Sequence, residues 1–526
     1  DAATQVMGGL LGAALQPNVR RALVVGLGTG STAGWLAQVP GIERVDVVEL
    51  EPAVLEVGRA CAPVNAKAME NPRVRITLGD AREVLLTSSE KYDLIFSEPS
   101  NPYRAGIASL FTREFYRSVR DRLTPAGLFI QWTQAYEVDG QTVRTVYATL
   151  SDVFPSVETF RGKRNDLLLV ASLQPIAYSG SSLRARLETE PFRGAMEKAW
   201  RVSGLEGLAS HYLAGPGLAR AIAAQEGGRL NTDDRNRIEF AVARSLGSTT
   251  LFDSEEIRRL ARTRGEDHLP VGEEIYWKLV ERNRQATTVA EGAMPVREAE
   301  ADPQDLARAV AYAGFLQGRL DTVLAAFRAE GRVPDAGTEL TMVTEALVQA
   351  MDPAAQESIE KLAGSQPTEA ASLRARYHWR LGNLQEAVKD LELTYQRYRE
   401  DPWPLPFVMK RSLAVAADIA ARDPSLAPRL YEALVQPFSL RLLEDERVAA
   451  LLGVASYVSF EKYAEALSGI EPDVPWERPL LSRRAQAYEK IRHPLAARAR
   501  RDLELFLRRE PRPFDEGLSA PSEPGR

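Results

Sequence analysis

Cysteine and histidine are scarce in this sequence of 526 residues, and their scarcity excludes two kinds of site. Cys61 is the only cysteine, so the chain has no disulfide framework and no metal site built on thiolates. The four histidines are scattered without the spacing of metal ligands, which argues against a zinc site. We therefore expect no metal, and a reducing, cytoplasmic compartment.

A strong charge of one sign and a long apolar run are also missing. The net charge of -6 over the whole length argues against a dedicated nucleic-acid binder. No run of roughly 18 apolar residues is present, so no segment is predicted to cross a bilayer. The sequence opens at Asp1 without an initiator methionine or a signal-like segment, and we expect it to be part of a longer chain.

Strand-like and helix-like stretches alternate over residues 1–172, with helices expected at Pro52–Cys61 and Thr112–Leu123. The strand-like runs are almost continuously apolar, as in strands buried on both faces of a parallel sheet. They are Ala22–Gly28, Arg44–Glu51, Val74–Asp80, Tyr92–Glu98 and Gly127–Gln134. Ser156–Arg161 and Asp166–Ser172 are too close for a crossover helix and predict an antiparallel hairpin. The pattern predicts an α/β fold of the class I methyltransferase (Rossmann-type) kind, with seven strands.

The remainder of the chain reads as helical. Residues 173–300 predict a mostly helical accessory region, 301–511 a region of helical repeats, and 512–526 a disordered tail rich in Pro, Gly and Ser. Leu316–Leu320 is echoed by Leu381–Leu384, and their glycines lie 64 residues apart, close to twice the tetratricopeptide period of about 34. Tetratricopeptide-like pairs would offer a concave face to a protein partner. The alternative is a plain α-helical bundle.

A glycine-rich turn follows the first strand and opens a helix. Gly26, Gly28 and Gly30 allow a tight turn and let a ligand approach the backbone N–H groups. The spacing is G-x-G-x-G, with Thr29 inside it and Ser31 where a dinucleotide fingerprint would have its third glycine. The motif alone is weak, because many such loops bind nothing.

Two acidic residues strengthen the prediction of a nucleotide site. Glu49 ends the second strand, where a carboxylate can accept both ribose hydroxyls, and Asp80, followed by Ala81, ends the third strand near an expected adenine. Open α/β sheets bind ligands at this edge. Either acid taken alone could be a surface residue at a strand end.

Glu98 ends the fourth strand and opens a rigid loop that contains two prolines. Beside a sulfonium cofactor, its carboxylate could bind an ammonium group and take its proton. Orientation of the amine would supply much of the rate. The alternative role for Glu98 is a cap of the following turn.

Several motifs together resemble the polyamine aminopropyltransferases (spermidine synthases), in the large bacterial type of that family. They are Gly26–Gly30, Val48–Glu51, Gly79–Ala81, Tyr92-Asp93, Glu98–Pro102 and Leu110–Tyr116. The resemblance covers residues 1–172 and implies a decarboxylated S-adenosylmethionine donor and a polyamine acceptor. It implies that Glu49 holds ribose, Asp80 holds adenine and Glu98 is the catalytic acid. Gln5 falls near the family's acceptor-site residues.

The departures from the family pattern lie on the side of the amines. The family has an aspartate where Thr29 stands, and its active-site loop reads Asp-Ser-Ser-Asp-Pro or similar where this chain has Glu98–Pro102. Each missing carboxylate removes a partner for an ammonium, at a cost of about 1.5–3 kcal/mol per hydrogen bond. Thr29 also removes a repulsion against the carboxylate of intact S-adenosylmethionine, which could therefore be the donor instead.

Other residues could compensate on the acceptor side. Asp233 and Asp234 precede a strand-like run, Ile238–Phe240, that could bring them to the pocket; the alternative is an Asx-turn and a helix cap. A similar Asp-Asp run recurs in large bacterial spermidine-synthase-like proteins, which often carry membrane helices ahead of this domain. Trp132 and Tyr136 could line the acceptor pocket through cation–π contacts, or serve in packing.

The leading hypothesis is aminopropyl transfer to an amine, with Glu98 as base and with Asn101 and Tyr103 shaping the acceptor site. Methyl transfer from S-adenosylmethionine is the second hypothesis, and a nucleotide-sensing scaffold acting through its repeats is the third. The expected partners are a small-molecule amine, a protein on the helical repeats, a membrane anchor ahead of Asp1 and a second copy in a homodimer.

Overall fold

The computed structural model describes residues 2–99, 106–135, 138–163, 166–240, 243, 252–272, 275–295, 303–331, 334, 337–439 and 441–510. The chain divides into two compact units. The first comprises Asp1–Ala346 with Gly364–Gln366, and the second comprises Leu347–Ala363 with Pro367–Arg526.

The first unit is built on a mixed sheet of eight strands. They are β1 (Arg21–Val25), β2 (Arg44–Glu49), β3 (Val74–Leu78), β4 (Tyr92–Ser97), β5 (Leu123–Gln134), β6 (Ser156–Arg161), β7 (Asp166–Ser172) and β8 (Tyr212–Ala214). Their order is β3-β2-β1-β4-β5-β7-β6-β8. The strands from β3 to β5 pair in parallel and the remaining three pair antiparallel. This order confirms the predicted methyltransferase-like fold.

The sheet differs from the prediction in the number of its strands and in the residue at which β1 ends. The hairpin of β6 and β7 has the predicted bounds, but β8 adds an eighth strand to the predicted seven. It is only three residues long and lies among helices, so its sequence gives little signal of a strand. Strand β1 ends at Val25 rather than Gly28, because the backbone at Gly26 and Gly28 has positive φ and leaves the extended conformation.

The first unit also contains the following helices. They are α1 (Ala2–Leu15), α2 (Ser31–Leu36), α3 (Val54–Ala60), α4 (Ala81–Thr87), α5 (Arg113–Arg120), α6 (Gly140–Val153), α7 (Gly180–Leu187), α8 (Phe192–Ala195), α9 (Gly204–Ala209), α10 (Pro216–Glu226), α11 (Glu255–Arg262), α12 (Trp277–Ala290), α13 (Pro303–Gln317), α14 (Leu320–Glu330) and α15 (Gly337–Gln349). The last of these runs three residues past the unit boundary at Ala346. Short 3-10 turns lie at Ala68–Glu70 and Ile107–Phe111, and a π-helical turn at Met196–Trp200.

Helix α1 crosses the sheet closely, and this approach positions the site. A Cβ atom on Gly8 would lie 2.8 Å from the ring of Phe96 in β4, and Leu168 of β7 is the next neighbour. Larger residues there would push the helix off the strands. Helices α5 and α6 cover the opposite face, where Phe115 and Phe154 pack on the ring of Phe129. The N-terminal part of α1 is thereby held over the carboxyl end of β4 and the amino end of β7, where Thr4 bonds Asp166.

One sequence prediction in the accessory region was wrong. Ile238–Phe240 forms a turn and not a strand. Ile238 is fully buried and Phe240 is 63% exposed, so the apolar run divides between core and solvent. Its backbone is held by the side chain of Asn231, which accepts hydrogen bonds from the N–H groups of Arg237 and Ile238.

The second unit is entirely helical among its described residues. Its helices are α16 (Ala354–Ala363), α17 (Pro367–Arg380), α18 (Leu384–Glu400), α19 (Pro406–Arg422), α20 (Ala427–Leu434), α21 (Glu444–Ala455), α22 (Phe460–Ser468), α23 (Arg478–Lys490) and α24 (Ala496–Arg509). Short 3-10 turns lie at Pro424–Leu426 and Arg441–Leu443. Buried aromatic residues, among them Tyr395, Tyr398 and Phe438, pack together in its core.

The two sequence motifs that resemble each other both lie at turns between helices. Gly318 separates α13 from α14 in the first unit, and Gly382 separates α17 from α18 in the second. Both have positive φ, which explains why glycine stands in each. Assignment of these pairs to tetratricopeptide repeats stays a prediction. In the described part of the chain, no helix combines the length and apolar character that crossing a membrane requires.

Candidate functional site

The glycine-rich turn lies at the carboxyl end of β1 and leads into α2. Gly26, Gly28 and Gly30 all have positive φ, between 52° and 94°. A Cβ atom on Gly26 would lie 2.7 Å from the carbonyl oxygen of Glu98, so a side chain there would collide with the loop after β4. The turn therefore requires glycine for both backbone conformation and space.

Glu49 is buried at the end of β2, and two backbone donors orient its carboxylate. The N–H of Leu27 donates to Oε2 at 2.8 Å, and the N–H of Glu51 donates to Oε1 at 2.9 Å. The first bond joins Glu49 to the glycine-rich turn. A carboxylate held in this way keeps acceptor capacity for the two hydroxyls of a ribose.

Asp80 lies one strand further out and caps α4. Its Oδ1 accepts the N–H of Arg82 at 2.8 Å, and Ala81, the first residue of the helix, is buried. The N–H of Gly79 donates to the carbonyl oxygen of Glu49 at 2.9 Å, which brings the ends of β2 and β3 together. Glu49 and Asp80 are thus next to each other at the edge where a nucleotide was predicted.

Glu98 follows β4 directly and is half-buried. Its backbone N–H donates to the carbonyl oxygen of Val25 at 3.0 Å, and the hydroxyl of Thr32 lies 2.6 Å from its Oε2. Burial raises the pKa of the Glu98 carboxyl, and hydrogen bonds from Thr32 and Gln5 offset this in part. A carboxylate whose pKa is raised in this way accepts a proton more readily than a solvated one.

Gln5, from α1, links the glycine-rich turn to Glu98. The hydroxyl of Thr29 donates to Oε1 of Gln5 at 2.7 Å, which leaves the amide N–H groups of Gln5 for the carboxyl of Glu98. Thr29 also lies 2.9 Å from the hydroxyl of Ser31. Three residues that the sequence assigned to different parts of the site are therefore in one hydrogen-bonded group.

Trp132 lies on the same face of the sheet as Glu98. Ser97 of β4 pairs with Gln131 of β5, so Glu98 is in register with Trp132 on the neighbouring strand. The side chain of Trp132 is partly buried, and its indole N–H lies beside the carboxyl of Asp166. The role of Trp132 in lining an acceptor pocket stays a prediction.

Asp166 is a further carboxylate on this face, and sequence reasoning missed it. It pairs with Gln134 of β5, two residues after Trp132, and successive even positions of a strand share a face. Its Oδ2 accepts the hydroxyl of Thr4 at 2.6 Å, and its Oδ1 is buried. Burial raises the pKa of Asp166 to about 6, partly offset by Thr4 and Trp132. The available signal was an acid at the start of an otherwise apolar strand.

Asp233 lies beside Arg82, and Asp234 follows it in a local turn. Asp233 forms an ion pair with Arg82, two residues after Asp80, and its pKa is lowered: burial acts to raise it, and Arg82 more than offsets this. The Oδ1 of Asp234 accepts the hydroxyl of Thr232 at 2.7 Å, in a local turn. Neither carboxylate contacts Gln5 or Glu98 among the described residues. The strand that was expected to carry them to the acceptor pocket does not form.

Three predicted site residues, Asn101, Tyr103 and Tyr136, lie outside the described residues. Across the ranges that the structure describes, no cluster of three or more His, Cys, Asp or Glu side chains could hold a metal ion.

Residues 3–161 match the family model of the spermine/spermidine synthase domain. A polyamine aminopropyltransferase from Alkaliphilus metalliredigens is 31% identical over 152 residues, which are 28% of this chain and 53% of that protein. One from Nitrosomonas europaea is 36% identical over 142 residues, 27% of this chain and 43% of that protein. The chain thus spans about half the length of these curated relatives.

A crystal structure of a probable spermidine synthase from Corynebacterium glutamicum aligns with 44% of this chain and 80% of its own length. Its identity to this chain is 20% and the TM-score is 0.32. The matching family model covers the glycine-rich turn, Glu49, Asp80 and Glu98, so the similarity to the spermine/spermidine synthase domain includes the predicted site.

Proposed function

We propose that this chain transfers an aminopropyl group from decarboxylated S-adenosylmethionine to an amine of the polyamine type. The observation that carries the proposal is the group formed by Gln5, Thr29, Thr32 and Glu98. It places a half-buried carboxylate of raised pKa at the end of β4, against a glycine-rich turn. The family match and the polyamine aminopropyltransferases among the relatives support the same reaction.

The donor fits the residues at the edge of β1, β2 and β3. The glycine turn leaves room for a ligand against the backbone, Glu49 has free acceptor capacity for ribose hydroxyls, and Asp80 and Ala81 flank the adenine position. The bound donor supplies a sulfonium, whose adjacent carbon is open to attack and whose thioether is a good leaving group. No metal is needed for this step.

Glu98 acts on the acceptor. Its carboxylate binds the ammonium of the amine and takes one proton from it, so that the nitrogen lone pair is free to form the new C–N bond. The C–S bond breaks at the same carbon, and its electron pair remains on sulfur. Gln5 and Thr32 hold the Glu98 carboxylate in one orientation, which contributes through positioning.

The second amino group of a diamine has a partner in Asp166. Strand spacing and rise separate the Cα atoms of Glu98 and Asp166 by roughly 12 Å, because they lie two strands and two residues apart. This separation suits an extended diamine with one ammonium on each carboxylate. The buried carboxyl of Asp166 and the ring of Trp132 beside it supply an acceptor and a π-face.

Methyl transfer from intact S-adenosylmethionine is the second candidate, and Thr29 is the observation that favours it. Thr29 stands in the turn with a neutral hydroxyl that is engaged by Gln5 and Ser31. A neutral residue repels the donor's carboxylate less than an acid would. A nucleotide-sensing scaffold is a third candidate. The tetratricopeptide-like repeats with their protein partner, a homodimer and a membrane anchor are proposals that rest on the sequence.

Calorimetric binding of the two donors tests the proposal. Tighter binding of decarboxylated S-adenosylmethionine, with turnover of a diamine to its aminopropyl product, is the expected result. Tighter binding of the intact form, with methylated amine as product, would replace aminopropyl transfer by methyl transfer. Binding without turnover of any amine would favour the sensing role.

A further inference from the structure

Arg161 is a buried arginine that lacks partners for most of its donors. It is the last residue of β6 and is 3% exposed. Its Nη1 donates to the hydroxyl of Thr288 at 3.2 Å, whereas its Nε and Nη2 are buried with no hydrogen-bond partner. A guanidinium carries five N–H donors and stays charged in proteins, so donors left unpaired in this way are costly.

A cavity of about 50 Å³ lies beside this guanidinium. The side chains of Arg258, Arg284 and Thr288 line it together with Arg161. One water needs about 10–15 Å³ by the same measure, so the cavity is large enough for a small polyatomic ligand. Donors converge on this space from helices α11 and α12 and from the end of β6.

The carboxylates that line the cavity are engaged by groups other than Arg161. Glu255 accepts Nε of Arg258 at 2.9 Å, and Glu281 accepts Nη1 of Arg284 at 2.9 Å. Asp253 accepts the backbone N–H of Glu255 at 3.0 Å. Three carboxylates and three arginines therefore line the space, and Arg161 is the arginine without a carboxylate on its donors.

The arginines of the cavity act on the carboxyl of Glu255. Burial would raise the pKa of the Glu255 carboxyl, yet Arg258, Arg161 and Arg284 hold it below its usual range. His211, whose backbone pairs with that of Arg161, is fully buried. Burial lowers the pKa of the His211 imidazole well below its usual range, and the charge of Arg161 lowers it further. The imidazole is thus neutral and does not add to the charge.

The cavity is separate from the proposed transferase site. Along β6 the side chain of Arg161 shares a face with Thr159, whose hydroxyl bonds Tyr147 of α6 at 2.6 Å. Glu98 contacts Gln5 of α1, on the other face. The lining of the cavity includes none of Gln5, Thr29, Thr32 and Glu98.

We propose that this cavity binds a small oxyanion, a phosphate, sulfate or carboxylate group, through the Nε and Nη2 donors of Arg161. A planar guanidinium presents these two N–H groups side by side, which matches two oxygens of such an anion. Bound there, the anion ties the end of β6 to α11 and α12. Its binding does not depend on the transferase activity proposed above.

Titration of the full chain with inorganic phosphate, sulfate and acetate in separate arms tests the site, at constant ionic strength set with chloride. Calorimetry measures the binding of each anion, and thermal unfolding measures its effect on Tm. We expect saturable binding with one site and a rise in Tm for at least one anion. The arm with the tightest binding identifies the class, tetrahedral or carboxylate. No saturable binding in any arm overturns the proposal.

Two variants of Arg161 and one control locate the site. Arg161→Gln should weaken binding at least about tenfold, because two charge-assisted hydrogen bonds are lost. Arg161→Lys keeps the charge and loses the two parallel N–H donors of the guanidinium, so this variant should bind with intermediate affinity. Such a result would show that weaker binding by the glutamine variant is not caused by a folding defect. Arg220→Gln, at an exposed position of α10, should bind as the wild type does. Equal affinity in all the variants overturns the proposal.

Discussion

The donor half and the acceptor half of the proposed site are built in different ways. The donor half consists of residues at the ends of β1, β2 and β3, each within a few residues of its strand: Gly26, Glu49 and Asp80. The acceptor half joins distant segments, since Gln5 comes from α1 and Glu98 from the end of β4. The first half is therefore local in sequence, and the second exists only where α1 packs on the sheet.

This difference indicates which half of the site is altered when a single side chain is replaced. Donor residues are oriented by backbone N–H groups, as Glu49 is by Leu27 and Glu51, so their geometry follows from the turn itself. Acceptor residues are oriented by other side chains, as Glu98 is by Thr32 and Gln5. Replacement of one side chain alters the acceptor half without disturbing the donor half, which fits departures from the family at the amine side.

Substitution of Glu98 should have the largest effect and should separate the halves. Glu98→Gln keeps the shape of the side chain and removes the base, so we expect kcat to fall about 10²–10⁴-fold. Calorimetry should show donor affinity changed by less than about threefold, because the donor is held elsewhere. Wild-type turnover by this variant would disprove the assignment of Glu98 as the base.

The matched change in the donor half is Glu49→Gln. Loss of the carboxylate removes charge-assisted acceptance from ribose hydroxyls, and we expect donor affinity to fall about tenfold or more. The KM for the amine should stay close to that of the wild type. A larger change in amine KM than in donor affinity would mean that the two halves are not independent.

Asp166→Asn sharpens the comparison within the acceptor half. We expect KM for 1,4-diaminobutane to rise roughly tenfold, and KM for butylamine, which lacks a second ammonium, to stay constant. In the wild type, KM for the diamine should fall as pH rises through about 6, where Asp166 becomes ionised, and this pH dependence should vanish in the variant.

Glu158→Gln provides the control for Asp166. Glu158 is also buried, its carboxylate accepts the hydroxyl of Tyr178 at 2.7 Å, and burial raises its pKa to about 7. Its folded pKa lies above the unfolded value, so the wild type should lose stability as pH rises from about 4 to 7. The Glu158→Gln variant should lose less stability over this pH range, and its KM for the diamine should equal that of the wild type. A diamine KM that rises equally in both variants would point to a general structural effect.

The smallest effect is expected at Asp233. Asp233→Asn removes an ion pair with Arg82 that is partly exposed, so the free energy of unfolding should fall by about 1 kcal/mol or less. Amine KM should not change, because the carboxylate contacts the donor side. Thermal unfolding and amine kinetics measure the two quantities. A clear rise in amine KM would restore the original prediction that Asp233 binds the acceptor.

Much of the donor half could be predicted from sequence, because strand ends, glycines and acids coincide there at short range. Gly26, Glu49 and Asp80 lie where the strand pattern put them, although β1 ends earlier than expected. Asp166 was missed because an acid in the first position of a strand is usually solvated. Asp233 was expected near the acceptor because Ile238–Phe240 was taken for a strand, and the apolar run is instead divided by a turn.

The sequence by itself determined the fold class, the succession of parallel strands and hairpin along the chain, and the positions of Gly26, Glu49 and Asp80 at strand ends. These depend on periodicity and on turn residues, which act over a few positions. Only the tertiary structure decided that Gln5 joins Thr29 to Glu98, that Asp166 shares their face, and that Arg161 is buried beside a cavity. Each of these depends on which face of the sheet a helix covers, and packing of residues far apart in sequence decides that.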